Sequence, residues 1–404
     1  MNQLKNKIIE KASSLFPKIK QIREHIHAHP ELSFKEYNTS AFICSILTEA
    51  GIEFKTGYVK TGIVALIKGK NESKKIIALR ADMDALPIQE MNQVPYCSVN
   101  NGIMHACGHD VHTACLLGAA LILNELKNDL EGTVKLIFQP GEELLPGGAS
   151  LMIKEGVLKS PDVQYIFGQH VFPSMEAGKV GFRSGMYMAS TDEMYITVKG
   201  KGGHAAMPSD YINPLLISAE ILLNLHKEFM LKKQIDENGN EIPTVLAFGK
   251  SIANGATNVI PDKLELEGTF RTMNEKWRVE AHKKIKEIVQ QICVKWNAGA
   301  EVNIVNGYPF LVNNTELTER AKIAAKEFLG DERVEELAMR MTAEDFAYYS
   351  QVVPSCFYRL GTGNKSKGIT SGVHTATFDI DETALETGSA LMAWLAASEL
   401  NSYK

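Results

Sequence analysis

The run Val134-Lys135-Leu136-Ile137-Phe138-Gln139-Pro140-Gly141-Glu142-Glu143 is apolar for most of its length. It stops at a Pro-Gly pair and then presents two adjacent carboxylates. A short apolar run bounded by turn residues reads as a buried strand, and Pro140 and Gly141 end it. Runs of the same kind lie around it at Ile63–Ile67, Lys75–Leu79 and Tyr165–Gly168. Helical periodicity covers 3–28, 34–50, 110–127 and 147–156, with Pro30 after the first of these and Gly51 after the second. Strands alternating with helices imply an α/β sheet, whose ligand sites form in loops after the carboxyl ends of the strands.

From about Thr191 the texture changes. A strand at Met194–Val198, a helix from Asn213 to Phe229, strands at Thr244–Ile252 and Lys263–Thr269, a helix at Glu275–Trp296 and a strand at Glu301–Val305 follow in order. This β-α-β-β-α-β sequence is a ferredoxin-like α+β unit. After Pro309 the α/β texture resumes, with a helix near 315–328, a strand at Cys356–Leu360 and a helix from Glu382. The expected organisation is an α/β domain at 1–189 and 307–404, interrupted by an inserted domain at 190–306. A chain of 404 residues exceeds what one core usually supports, so two domains are the default.

A net charge of −5 without a basic stripe gives no electrostatic case for nucleic acid or an anionic membrane. No apolar run is long enough to span a bilayer, and MNQLKNKIIEKASSLF reads as a first helix, not a signal peptide. Cys44, Cys97, Cys107, Cys115, Cys293 and Cys356 have no framework spacing and read as reduced thiols of a cytoplasmic protein.

Chemistry-bearing side chains gather at the expected strand ends. Asp82 and Asp84 follow the second strand, either as a capped, solvated turn or as site carboxylates. Met104-His-Ala-Cys107-Gly-His109-Asp110-Val-His112 concentrates ligand types in a chain with only 11 His and 6 Cys. Cys107 and His109 suit a zinc-like ion, although a buried Cys beside a capping Asp110 also accounts for the pattern. Glu142 and Glu143 fit a divided task of ligation and proton transfer, or an exposed acidic loop. His170 and His374 alone are more often structural, but their coincidence with the other loops points to one site. His25, His27 and His29, three imidazoles at period two before Pro30, look like ligands by spacing.

The stretches HIHAHPELSFKE (25–36), ALRADMDALPI (78–88), MHACGHDVH (104–112), FQPGEE (138–143), GQHVFP (168–173), GKGGHAAMP (200–208), GATNVIP (255–261), GTFRT (268–272) and MTAEDFAYY (341–349) occur in order along the chain. Together they resemble the dinuclear-metal aminoacylase/carboxypeptidase family, in its branch of hippurate hydrolases, N-acyl-amino-acid amidohydrolases and auxin-conjugate hydrolases. The resemblance implies a zinc-peptidase-like catalytic domain and a lid or dimerisation domain. It further implies two divalent ions (zinc, manganese, cobalt or nickel) held by Cys107, His109, Glu143, His170 and His374, with Cys107 bridging as thiolate. Glu142 would be the general base, and Asp84 would orient a ligand. Asp82 falls where other branches carry a metal-binding His, the His25/His27/His29 segment would be structural, and His105 and His112 would stand behind His109 as ligands. His204 matches the oxyanion-stabilising histidine, and Arg271 and Asn258 match a pair that recognises the substrate's α-carboxylate. A surface ion pair for Arg271 and a turn role for Asn258 are the competing readings.

The implied activity is hydrolysis of N-acyl amino acids or short peptides by a homodimer. The alternatives are a dipeptidase, a deacetylase of an N-acetylated biosynthetic intermediate, or a non-catalytic metal-loaded binding protein.

Overall fold

The computed structural model describes residues 1–402 and divides into two compact units. The first comprises Met1–Tyr187, Val312–Ala338 and the chain from Asp345 onward. Its elements open with helices α1 (Asn2–Ala28) and α2 (Tyr37–Glu49) and strands β1 (Glu53–Tyr58), β2 (Gly62–Lys68) and β3 (Ile76–Asp82). Helix α3 (His109–Glu125), strand β4 (Thr133–Gln139), helix α4 (Gly148–Lys154) and strands β5 (Tyr165–Glu176) and β6 (Val180–Phe182) follow. The eight-stranded sheet runs β1-β2-β4-β3-β5, then Ser355–Gly363, β6 and Val334–Glu336.

Within it β4, β3, β5 and Ser355–Gly363 are mutually parallel, and their register fixes the site. Asp82 pairs with Gln139, Arg80 with Gly168, and His170 with Arg359, so these carboxyl ends share one edge of the sheet. Strands β3 and β4 are buried along their whole length, as parallel strands covered by helices on both faces must be. Helix α3 is buried from His109 to Leu123 and packs against α1, the helix Thr383–Asn401 and the sheet. Its apolar sequence is therefore core on every side.

The second unit comprises Met188–Leu311 and Met339–Glu344. Its four-stranded sheet runs Thr244–Ile252, Lys263–Thr272, Asp192–Lys199, Gly299–Asn306, all antiparallel. Numbered within the unit this is the 4-1-3-2 order of a ferredoxin-like fold, covered by helices Pro214–His226 and Glu275–Lys295. Asn213 and Asn274 cap those helices by accepting from Leu215 N and Trp277 N. The unit is wider than 190–306 because 339–344 returns to it: Ala189 N–H donates to Arg340 O and Thr342 O. Among the described residues no helix is long and apolar enough to cross a membrane. The six cysteines are unpaired.

Candidate metal centre

Helix α3 starts at Gly108, whose φ of 85° is the left-handed turn that sets Cys107 and His109 on either side of it. A side chain there would meet Val171, since a Cβ would lie 2.6 Å from Val171 Cγ2. His109 enters from the first turn of α3, His170 from β5, and Glu143 from the loop after β4. His374 comes from a loop in which it holds φ 63°, a conformation costing a non-glycine residue about 1–2 kcal/mol. Its N–H donates to Ala106 O at 2.7 Å, which ties it to the Cys107 segment.

These side chains converge. Cys107 Sγ lies 3.4 Å from His170 Nε2 and 3.3 Å from His374 Nε2. Glu143 Oε1 lies 3.3 Å from His374 Nε2 and 4.0 Å from His109 Nε2. Two ligand groups result, Cys107/His109/His170 and Cys107/Glu143/His374, and they share the thiol. The outer nitrogens are anchored: His109 Nδ1–H donates to Asp84 Oδ1 at 3.1 Å, and His170 Nδ1–H to Val171 O at 2.9 Å. That leaves each Nε2 turned inward, the arrangement found around metal-ligating histidines. His109 Nε2 is buried without a hydrogen-bond partner, and Glu143 Oε1, 4.0 Å away, faces only the His374 imidazole at 3.3 Å. Such groups are costly unless a cation completes them, so thiol, imidazole and carboxylate donors here fit a pair of divalent ions.

The electrostatics agree. Hydrogen bonds to Cys107 and Glu143 raise His374 to about 10. Burial opposes charge on His109, but Asp82 and the hydrogen bond to Asp84 outweigh it and hold the imidazole well above its usual value. Burial, with Glu143, pushes the Cys107 thiol up. The site thus holds protons where it is built to hold positive charge.

Asp84 also accepts from Glu143 N–H (3.0 Å) and Ser33 Oγ (2.6 Å), so it fixes a histidine and a loop together. Asp82 accepts from His112 Nδ1 at 2.6 Å and Arg80 Nη1 at 2.7 Å, and stands 3.8 Å from His109 Nε2. His112 is spoken for at both nitrogens, since Nε2 accepts from Val171 N–H. His27 is clamped between Asp110 (2.8 Å) and Glu90 (3.2 Å), and His25 stacks on Phe42. His105 is buried with neither nitrogen hydrogen-bonded. Glu142 is 6% exposed, its carboxylate within 4.8 Å of His109 and Glu143 ligand atoms, and its Oε1 accepts from Asp345 N–H at 3.2 Å.

In the second unit, His204 and Asn258 lie together. His204 pairs with Val259 in a two-stranded ladder, and Ala205 N–H donates to Asn258 O at 3.0 Å. His204 Nδ1 accepts from Ala206 N–H, which leaves the ring proton on an exposed Nε2. Arg271 donates to Met341 O at 3.2 Å within the same unit.

Sequence reasoning gave no role to Arg80, Glu36 or Asp345. Glu36 accepts from Gly141 N–H at 2.9 Å, bracing the turn before Glu142. A charge inside an apolar strand, as at Arg80, was the available signal.

Residues 78–398 match peptidase family M20/M25/M40. The chain is 39% identical to thermostable carboxypeptidase 2 of Saccharolobus solfataricus, over 93% of this chain and 94% of that one. It is 37% identical to N-acetyl-L-cysteine deacetylase of Bacillus subtilis, over 92% and 86%. A Bacillus subtilis dinuclear metal-binding peptidase of the M20 family superposes with a TM-score of 0.82 at 34% identity, covering 97% of this chain and 100% of that one.

Proposed function

The chain belongs to peptidase family M20/M25/M40 and is a metal-dependent hydrolase of amide bonds, and from that premise we propose that it cleaves N-acyl amino acids with Glu142 as general base. The observation that carries this reading is the inward-facing, unpartnered His109 Nε2, with Glu143 Oε1 across from it and a buried Glu142 beside both. Cys107, His109, Glu143, His170 and His374 would hold the ions. When bound, two divalent ions make a water nucleophile available near neutral pH, lowering its pKa from 15.7 towards about 7.

Glu142 accepts the proton of that nucleophile at its carboxylate and returns it to the leaving nitrogen. Asp345 N–H on Oε1 limits the rotamers from which it does so. Asp84 fixes the tautomer of His109 and the backbone of Glu143 together. His204, with its proton on Nε2, supplies a donor for the oxyanion, a contribution of about 10²–10³ in rate for one such donor. Arg271 offers a planar fork for the α-carboxylate of the leaving amino acid, with Asn258 as its neighbour in that role. We also propose a cytoplasmic homodimer, which light scattering would size.

The test is a turnover screen of N-acetyl amino acids against matched amides lacking the carboxylate, with zinc, manganese and cobalt supplied separately. The reading expects turnover only where the carboxylate is present. Equal turnover of both sets, or none of either, overturns it.

A further inference from the structure

Glu142 and Glu143 ride on the loop 140–148 between β4 and α4. Its sequence, Pro-Gly-Glu-Glu-Leu-Leu-Pro-Gly-Gly, sets two prolines that fix φ among three glycines that free the backbone. The neck closes where Gly148 N–H donates to Gly141 O at 2.9 Å. The strands of this neck are so close that a Cβ on Gly148 would sit 1.7 Å from Pro140 O.

Asp345 reaches this neck from 203 positions beyond Glu142. Its carboxylate accepts from Gln139 Nε2 with both oxygens, at 2.9 and 2.8 Å, just before the neck. Just after the neck, Oδ2 accepts from Ala149 N–H at 2.9 Å. Its backbone N–H donates to Glu142 Oε1 at 3.2 Å. Arg80 locks the arrangement from below, with Nη2 on Asp345 Oδ1 at 2.6 Å and Nε on Gln139 Oε1 at 2.9 Å. Arg80 is 1% exposed, and Gln139 and Asp345 are fully buried. Charge-assisted hydrogen bonds in such a dry setting are short and strong.

We propose that Asp345 is a positioning residue that staples both ends of the 140–148 loop and aims the Glu142 carboxylate. It acts through Glu142, not on the substrate. A displacement of about 1 Å in a reacting group costs about 10²-fold in rate, so a slack loop is felt in kcat before binding.

The inference rests on the hydrolytic reading above, and its test separates the two. Asp345→Asn keeps the shape but turns an NH2 towards donors that the carboxylate had accepted, so one arm of the staple opens. With metal saturating, kcat should fall by about 10- to 100-fold while KM stays within about twofold and metal content matches the unaltered chain. Independently of activity, amide exchange in the 140–149 peptide should quicken while the rest of the sheet keeps its protection. Gln139→Met, neutral and of similar length, should give a smaller change of the same kind, and it carries the test if Asp345→Asn does not fold. Unchanged exchange in 140–149, or a kcat loss that merely tracks the folded, metal-loaded fraction, overturns the proposal. Absence of turnover in the unaltered chain would refute the N-acyl amino acid reading, and the exchange measurement would still decide the staple.

Discussion

Loading the centre with metal should release about three protons per chain near pH 7, because ligands bind as thiolate and neutral imidazole. Burial and Glu143 keep the Cys107 thiol protonated. His109 is held protonated by Asp82 and its hydrogen bond to Asp84 against the cost of its burial. His374 is raised to about 10 by its hydrogen bonds to Cys107 and Glu143. His170 contributes nothing, because burial and Arg359 keep it neutral. Three groups whose pKa values are raised in the metal-free chain must therefore lose a proton. Affinity for the full complement should rise with pH by about tenfold per proton per unit, or ~10³ per unit, and fall as pH drops. Titration calorimetry in buffers of different ionisation enthalpy reads the number directly. Cys107→Ala should lower it by at least one, since the thiol proton goes and the first support of the raised His374 goes with it. It should also abolish the metal-dependent stabilisation, about 2.7 kcal/mol for one site at a hundredfold excess over Kd. Release of one proton or fewer by the unaltered chain, or equal release by Cys107→Ala, would refute the reasoning.

Further outcomes follow from the same geometry. Burial works against the charge of Glu90, but His27 and Ser98 N–H hold its carboxyl down to about 2 from 4.5. Its stabilisation is then present above about pH 4.5 and lost as pH falls through about 2. Glu90→Gln should cost about 3 kcal/mol at pH 7, and the gap should close in denaturant titrations towards pH 2. Gly148→Ala forces a Cβ to within 1.7 Å of Pro140 O and must open the neck. A loss of about 1–3 kcal/mol with reduced kcat is expected, and unchanged melting would contradict the packing described. His204→Ala should reduce kcat by about 10²–10³ without altering metal content, measured by steady-state kinetics beside elemental analysis.

Glu142 and Glu143 were readable as site candidates because they follow the buried run of β4 across a Pro-Gly turn. Cys107 and His109 were readable because ligand types crowd residues 104–112, whereas His170 sits inside β5, which runs on to Glu176. The strand expected at Lys75–Leu79 continues to Asp82, since Arg80 looked like a polar end. It is instead buried and neutralised by Asp82 and Asp345. Strand β1 went unnoticed because its pattern is mostly exposed and carries no apolar run. Asp345 was beyond reach for another reason. No local periodicity links residues 203 positions apart, and only the register of the parallel strands brings Gln139 to a level where Asp345 can meet it. His27 has the spacing of a ligand but takes the structural role expected of it, its two nitrogens facing two carboxylates, partners that spacing does not encode.

The central claim is that a buried carboxylate beside a two-ion centre moves the proton in amide hydrolysis. Glu142→Gln tests it most directly, assayed on an N-acetyl amino acid with metal content measured on the same sample. The account expects kcat to fall by about 10²–10⁴ with two ions per chain retained. Activity within tenfold of the unaltered chain at full metal occupancy would contradict it.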